Sequence, residues 1–261
     1  SMVRRVPMML GPLLGGWLVT RFGWLDGVRY ALGLCMGLST VTIVFQWFLF
    51  EPGQVQRTGA AEPHVSFVKV VKSFSPALRE LLVSDILIRF CERLPYAFVV
   101  LWAIDHGGVT AQQFGYLVAF EMLTAMLCYV PVAHLADKYG RRPFVLATFI
   151  FFTLFPITLA MAHSFDWLAV AFIVRGLKEF GEPARKALII GEATAEWPAR
   201  TYGAYYLIRD CVVTSGSLIG AWLWSISPIA NFSGAAICGV LGTAWFWWFV
   251  YGRRPAREKS T

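Results

Sequence analysis

The sequence predicts an all-α membrane protein, a polytopic bundle of about eight transmembrane helices. Its 261 residues are 57% hydrophobic and 15% charged, with a mean hydropathy of +0.58, which excludes an ordinary soluble domain. The apolar residues gather in stretches of about 20, the length that crosses a hydrocarbon core roughly 30 Å thick. These stretches show no alternation with period two, so we expect helices and not the strands of a membrane barrel.

Apolar runs bounded by charges or turn residues define the eight predicted spans. They cover residues 4–20, 28–50, 78–104, 111–134, 143–163, 165–190, 201–225 and 228–251. In the polar loop after the second span, residues 65–74 fit either a short interfacial helix, with Phe67, Val68, Val71 and Phe74 against lipid, or an ordinary linker. The first span begins with Arg4 and Arg5 followed by the apolar run 6–19, so it also resembles a signal peptide, but no small-residue cleavage site follows Val19.

The basic residues in loops and near span ends predict the orientation. Eight spans put both termini on one side of the membrane. That side, with the loop at 51–77, holds 16 basic residues, and the opposite side holds 2, Arg21 and Arg29. The positive-inside rule therefore places both termini in the cytoplasm, in a membrane of the bacterial inner-membrane type. The net charge of +7 then reflects topology and contact with the lipid bilayer, and no nucleic-acid partner is expected.

Two similar octets indicate an internal repeat. Residues 11–18, Gly-Pro-Leu-Leu-Gly-Gly-Trp-Leu, match residues 216–223, Gly-Ser-Leu-Ile-Gly-Ala-Trp-Leu, with an offset of 205. The same offset pairs Arg4 with Arg209, which lies well inside its predicted helix. We therefore expect a first helix without its opening turns, in a protein built from two parallel six-helix halves.

Two motifs carry a resemblance to a known family. Residues 133–143, Ala-His-Leu-Ala-Asp-Lys-Tyr-Gly-Arg-Arg-Pro, resemble the signature loop of the major facilitator superfamily, Gly-x-x-x-Asp-Arg/Lys-x-Gly-Arg-Arg/Lys. Residues 11–16, Gly-Pro-x-x-Gly-Gly, resemble the glycine-proline motif on the fifth helix of that family. Two departures, Ala133 in place of Gly and Pro7 in place of a further Gly, weaken an assignment to antiporters.

The resemblance implies the organisation of the chain. Residues 1–50 would be the end of the N-terminal half, with a truncated first helix. Residues 51–77 would be the cytoplasmic central loop, and residues 78–261 the complete C-terminal six-helix half. The eight spans would then be helices five to twelve of the twelve-helix fold. The missing N-terminal helices of the same transporter are the implied partners.

The signature loop is expected to act as a conformational latch. Gly140 suits the positive φ angle of a tight turn, and Arg141 and Arg142 follow it. By the resemblance, Asp137 docks against the start of the helix that contains Arg4 and holds one conformation closed. The alternative is a set of basic residues that only fix topology at a tight turn. For the glycine-proline motif, helix packing is the preferred interpretation.

Ionisable residues inside the predicted spans are the best functional candidates, because charge at bilayer depth is costly unless it is paired or faces water. The basic ones are Arg89, Arg93, Arg175, Lys178 and Arg209. The acidic ones are Asp85, Glu92, Glu121, Glu179, Glu182 and Asp210. Those of the third span share an arc of about 100° with Tyr96. Those of the sixth span follow one stripe, interrupted by Gly176, Gly181 and Pro183, as in helices that line transporter sites.

These residues predict a charged, hydrated cavity. The residues assigned to the cavity and to solute binding are Arg89, Glu92, Tyr96, Arg175, Glu179 and Arg209. The candidates for proton coupling are Glu121, Asp85, Glu182 and Asp210. Glu121 leads because no basic residue accompanies it within its own helix. The alternative is that the charges only pair across helices and lock the bundle.

The predicted function is secondary active transport of a small polar or charged solute by alternating access, with proton coupling as a hypothesis. An alternative is a non-transporting receptor, scaffold or membrane module with the same fold. The sequence has no Walker loop, dinucleotide fingerprint or nucleophile elbow, so neither an enzyme nor a cofactor is expected. Its four histidines never take ligand spacing, and no metal site is predicted.

Overall fold

The computed structural model describes residues 2–49, 65–194 and 196–252, except for the side chains of residues 2–4, 130, 133 and 137. All regular elements in these ranges are helical, which confirms the all-α class. They are α1 Met2–Phe22, α2 Trp24–Leu49, α3 Phe67–Lys72, α4 Pro76–Arg93, α5 Val99–Asp105, α6 Ala111–Tyr139, α7 Arg142–Met161, α8 Phe165–Leu177, α9 Glu182–Gly191, α10 Pro198–Ile226 and α11 Pro228–Trp245. A π-helical segment, Phe246–Tyr251, continues α11.

The predicted span 78–104 is two helices, so its prediction as one continuous segment was wrong. Helix α4 ends at Arg93 and α5 begins at Val99. Pro95 lies between them and lacks the N–H that a continuous helix needs. The carbonyl of Leu94, left without a helical partner, accepts a 3.0 Å hydrogen bond from Asn231 Nδ2 of α11. The break is therefore satisfied within the bundle, as a membrane interior requires.

The predicted interruption of the span 165–190 is confirmed. Helix α8 ends at Leu177 and α9 begins at Glu182. In the gap, the backbone N–H of Gly181 donates to Thr148 Oγ1 of α7 at 2.6 Å. A Cβ on Gly181 would lie 2.3 Å from the carbonyl oxygen of Phe144, so only glycine fits here. Pro183 stands in the first turn of α9, where no N–H is required.

Three of the described helices are long and apolar enough to cross a membrane: Trp24–Leu49, Arg142–Met161 and Pro228–Tyr251. Other predicted spans depart from the length or composition of such helices. Helix α4 carries six charged residues in 18, and residues 165–190 are broken in two. The number of eight spans therefore stays a prediction.

The described helices pack around two large apolar clusters at opposite ends of the bundle and a third, smaller one. One cluster lies where α4 begins and includes Leu78, Phe149 and Tyr205. The other lies where α6 begins and includes Leu117 and Phe172. Helix α11 packs on α4 and α7, α8 packs on α6 and α7, and α10 packs on α4. Glu92, Glu121 and Arg175, on α4, α6 and α8, lie along the sequence between residues of these two clusters.

Helix α3 belongs to the bundle. Val70 and Phe74 are buried in the apolar cluster where α4 begins, so the expectation that Phe74 faces lipid was wrong. Lys69 Nζ lies 5.5 Å from the ring centroid of Trp197, which precedes α10. The rest of the predicted central loop, residues 50–64, lies outside the described residues.

The repeated octets lie at close helix contacts. Within α10, a Cβ on Gly220 would lie 2.3 Å from the carbonyl oxygen of Leu94. Asn231 Nδ2 donates to the carbonyls of both Leu94 and Gly220, at 3.0 and 2.8 Å. In α1, a Cβ on Gly16 would lie 2.7 Å from the carbonyl oxygen of Ala111 in α6. Both octets thus include a glycine that lets two backbones meet, as helix packing in membranes favours.

We predict that Gly220→Ala lowers the thermal unfolding temperature in detergent, because the added methyl overlaps the Leu94 carbonyl and costs about 1–3 kcal/mol. Gly203→Ala is the matched control on the same helix, since nothing lies within 4 Å of its would-be Cβ. The control should keep or raise the unfolding temperature, as alanine is the better helix former. Equal shifts for both variants would contradict the proposed contact.

Candidate functional site

Two open cavities meet at the level of the charged residues. The larger cavity, of about 690 Å³, is lined by residues of α1, α5, α6, α8 and α9 together with the break between α8 and α9. The smaller cavity, of about 370 Å³, is lined by residues of α4, α9 and α10. Tyr96, Glu182 and Lys186 line both. The two cavities therefore form one polar depression with a shared edge.

A chain of ion pairs runs along this depression. Eight side chains alternate in sign along it: Asp85, Arg185, Glu182, Arg89, Glu92, Lys178, Glu121 and Arg175. Helices α4, α6, α8 and α9 all contribute. Nearly every carboxylate meets two cations, so negative charge at bilayer depth is compensated throughout.

Asp85 is the most enclosed member of the chain, with no exposed surface. It accepts from Arg185 Nη1 at 2.6 Å, from the Tyr205 hydroxyl at 3.1 Å and from Arg209 Nη1 at 3.4 Å. Arg185 is only 1% exposed and also binds Glu182 at 2.9 Å. Asp85 therefore lies behind the cavity wall and joins α4, α9 and α10 electrostatically.

Arg185 is a residue whose place sequence reasoning missed, because it was counted among the basic residues near the cytoplasmic end. Its side chain is one of the largest that are fully buried. The available signal was its spacing from Glu182 and Lys178, three and seven residues away on the same helical face. Arg5 was likewise counted only among the basic residues near the N-terminus, but its side chain lines the larger cavity.

The middle of the chain links α4 to the break between α8 and α9. Arg89 donates to Glu92 at 2.8 Å and also binds Glu182. Lys178 Nζ lies 2.6 Å from Glu92. Both cations lie over the ring of Phe152 of α7, Arg89 at 5.2 Å and Lys178 at 5.4 Å. An aromatic face thus supports the two cations where water is scarce.

Glu121, on α6, is the last carboxylate in the chain of ion pairs, between Lys178 and the final member Arg175. It is 4% exposed and lines the larger cavity. Its Oε1 lies 3.2 Å from Arg175 Nε and 3.9 Å from Lys178 Nζ. Helix α6 carries Lys138 in its last turn but supplies no ion-pair partner to Glu121 among the described residues, whereas α8 and the break after it do. Glu121 is therefore an ion-paired carboxylate, and not an isolated one.

A separate ion pair joins α1 to the rest of the site. Arg5 Nη2 lies 2.9 Å from Glu179 Oε2, and the two side chains are 12% and 26% exposed. The Arg5 guanidinium also lies 5.8 Å from the ring centroid of Tyr129 on α6. Among the described residues, neither Arg5 nor Glu179 has a second ion-pair partner. The contact between α1 and the break after α8 thus depends on one pair of charges.

The structure brings together most of the predicted site residues. Arg175, Glu121 and Glu179 line the larger cavity. The smaller cavity is lined by Arg89, Glu92, Arg209 and Asp210, and Tyr96 and Glu182 line both. Asp85 is buried behind the wall, and Asp210 is 61% exposed and paired with Arg209 at 2.7 Å. Glu92, Glu182 and Arg89 are thus engaged with one another or with Lys178 and Arg185.

The signature loop forms the tight turn that was predicted. Gly140 ends α6 with a φ of +85°, and Arg142 begins α7. Arg141 Nη1 donates to the carbonyl of Ala187 in α9 at 3.2 Å, so this loop holds the end of α9. The side chains of Asp137 and Arg4 lie outside the described residues, so their predicted contact stays a prediction.

These features define a class of protein. The chain is a helical membrane protein in which broken helices and paired charges surround a polar depression. The sequence model of the Major Facilitator Superfamily matches residues 81–261. The chain belongs to this superfamily, as its two motifs predicted.

Three bacterial relatives are similar to the chain. The "Multi-drug resistance efflux pump PmrA homolog" of Lactococcus lactis is 25% identical over 97% of this chain and 62% of its own length. The "Multidrug resistance protein MdtG" of Dickeya zeae is 25% identical over 96% of this chain and 61% of its own length. The "Tetracycline resistance protein, class C" of Escherichia coli is 28% identical over 51% of this chain and 34% of its own length. The chain thus spans less than two thirds of each relative.

We predict that Asp85→Asn lowers the free energy of unfolding in detergent by about 3 kcal/mol, because it removes the buried carboxylate that both Arg185 and Arg209 bind. The double variant Asp85→Asn with Arg185→Gln should recover part of this loss, which a double-mutant cycle of thermal unfolding measures. Asp26→Asn is the control, since the Asp26–Arg29 pair is mostly exposed and should contribute little. A purely additive cycle would contradict the buried pair.

Proposed function

We propose that the chain is the greater part of a secondary transporter that moves a small polar or charged solute across a bacterial inner membrane by alternating access. The observation that carries the proposal is the chain of alternating charges along an open polar depression formed partly by broken helices. Buried charges of this kind mark solute and ion pathways in membrane proteins. Broken helices at such a site supply backbone groups to the solute.

The proposal assigns a role to each part of the chain. In this organisation residues 1–50 end one half, residues 51–77 form the central loop, and residues 78–261 form the other half. The chain would form eight spans, with both termini in the cytoplasm. Four further helices and the start of the first helix would complete the transporter. The residues proposed to line the solute path are Arg89, Glu92, Tyr96, Arg175, Glu179 and Arg209. Asp137, Gly140, Arg141 and Arg142 form the proposed latch.

The names of the relatives favour export as the direction of transport. Two are named for multidrug resistance and one for tetracycline resistance. The test is solute flux in liposomes that contain the complete gene product. Solute-dependent flux that requires an imposed pH gradient supports a coupled transporter. Solute binding without solute flux would instead favour the receptor or scaffold alternative.

Glu121 is the proposed proton carrier. Its carboxylate is buried, lines the larger cavity and is the one ion-pair partner of Arg175 among the described residues. Protonation of Glu121 would release Arg175, whereas Lys178 would keep Glu92. Proton uptake would thereby change the charge that the cavity presents to the solute. Asp85, Glu182 and Asp210 are the further candidates.

We predict that Glu121→Gln abolishes solute accumulation driven by a pH gradient but preserves solute exchange at equal pH. The amide keeps the shape of the carboxylate but cannot cycle a proton. Both fluxes are measured in the same proteoliposomes. The control is Glu80→Gln: Glu80 is partly buried, lines neither cavity and accepts from Trp245 Nε1 at 2.9 Å. Gradient-driven accumulation that survives in Glu121→Gln would exclude this residue as the carrier.

The Arg5–Glu179 pair is proposed to hold α1 against the break after α8 in one conformation. We predict that Arg5→Gln or Glu179→Gln speeds labelling of a cysteine at Met122, which lines the larger cavity, by about threefold to tenfold. The exchanged pair Arg5→Glu with Glu179→Arg should restore the slow rate. Labelling is followed in a background without native cysteines.

The control for this prediction is Arg29→Gln, which removes an exposed ion pair of 3.2 Å between Arg29 and Asp26. That change should leave the labelling rate as it is in the parent protein. If the exchanged pair labels as fast as the single variants, the charges do not act as a tie between α1 and the break.

A further inference from the structure

The smaller cavity has more basic than acidic side chains. Its basic side chains are Arg89, Arg93, Arg185, Lys186 and Arg209. Its acidic side chains are Glu92, Glu182 and Asp210. The cavity wall therefore carries two more positive than negative charges, and the ion pairs decide which two cations are left over.

Three of the five cations are engaged by carboxylates. Arg89 binds Glu92 and Glu182. Arg185 binds Glu182 and the buried Asp85. Arg209 binds Asp210 at 2.7 Å. Each acid of the smaller cavity is therefore occupied, and none is available for a cationic solute without displacing a resident cation.

Arg93 and Lys186 are the two cations left over. Among the described residues neither has an ion-pair partner, and both side chains are exposed. Both line the smaller cavity, and Lys186 also lines the larger one. A cation that faces a cavity with no carboxylate partner attracts a solute anion more strongly than one already in an ion pair.

Tyr96 adds an aromatic surface next to these cations. Its side chain is 55% exposed and lies at the edge that the two cavities share. The Arg93 guanidinium lies 5.8 Å from the Tyr96 ring centroid. A planar solute group can stack on this ring while its charged group meets Arg93.

Taken with the proposed function, on which it rests, this arrangement identifies a class of solute. We propose that the solute carries a fixed negative charge, which binds Arg93 and Lys186, and an aromatic group, which packs on Tyr96. The arginines that the sequence suggested for solute binding, Arg89, Arg175 and Arg209, hold the wall together through their ion pairs. Specificity then lies with the two cations that those pairs leave over.

The test uses three naphthalene derivatives that differ in charge. They are naphthalene-2-sulfonate, 2-naphthyltrimethylammonium and the neutral 2-naphthalenesulfonamide. Binding to the purified complete gene product is measured by calorimetry. The sulfonate should bind at least about tenfold more tightly than the ammonium compound. Arg93→Gln and Lys186→Gln should each weaken sulfonate binding by about tenfold, with little effect on the sulfonamide.

Matched controls remove exposed cations that line neither cavity. Arg21→Gln is paired with Arg93→Gln, and Lys72→Gln is paired with Lys186→Gln. Both controls should bind the sulfonate as the parent protein does. Unchanged sulfonate affinity in Arg93→Gln and Lys186→Gln would overturn the proposal.

Anionic lipid offers the same chemistry as an anionic solute, so binding is also compared in nanodiscs of phosphatidylcholine and of phosphatidylglycerol. Equal sulfonate affinity in both supports a solute site. Loss of binding in phosphatidylglycerol would assign the cations to a lipid headgroup and overturn the proposal.

Equilibrium binding needs no turnover, so this proposal and the proposed function can fail separately. If the protein transports the ammonium compound and does not bind the sulfonate, the anion proposal fails and transport stands. If the protein binds the sulfonate as predicted and moves no solute across liposomes, transport fails and the anion site stands.

Discussion

The buried carboxylate of Asp85 is the constraint on which the rest of the site depends. A charge with no exposed surface at this level of a membrane protein is stable only when cations surround it. Arg185 and Arg209 supply those cations from α9 and α10. Arg185 can reach Asp85 because α9 restarts after the break with Glu182 and Arg185 on one face. The ion pairs then continue through Glu182 to α4 and onward to α6.

The break between α8 and α9 shows how local sequence and distant charge act together. Helix α8 ends at Leu177, and Gly181 and Pro183 stand at the start of α9, where Thr148 Oγ1 of α7 accepts a hydrogen bond from the backbone N–H of Gly181. Because the chain leaves its helical path there, Lys178 and Glu179 reach different partners, Glu92 on α4 and Arg5 on α1.

Much of this arrangement follows from the sequence. Hydrophobic composition and helix periodicity predict the all-α class and the charged inward stripes, and the motifs predict the family. Pro95 was present in the predicted third span, but hydrophobicity alone does not reveal that its break is stabilised by Asn231 from α11. Ion pairs between helices also cannot be predicted from the sequence, because the partners of Glu121 and Asp85 depend on how the helices rotate against each other. For this reason Arg185 was counted only among the basic residues near the cytoplasmic end, and Arg93 was not chosen as a solute residue.

The alternating order of the ion pairs determines how well the site tolerates single substitutions. Glu182, Glu92 and Arg89 each touch two oppositely charged neighbours, so losing one neighbour leaves the other in place. Arg175 has a single described partner, Glu121. Replacing one interior member of the ion-pair chain therefore leaves its neighbours paired, whereas replacing Glu121 leaves Arg175 without a described ion-pair partner. Over evolutionary time, new specificities would therefore arise more readily at Arg93 and Lys186, which lie outside the ion-pair chain, than at Arg175 or Glu121.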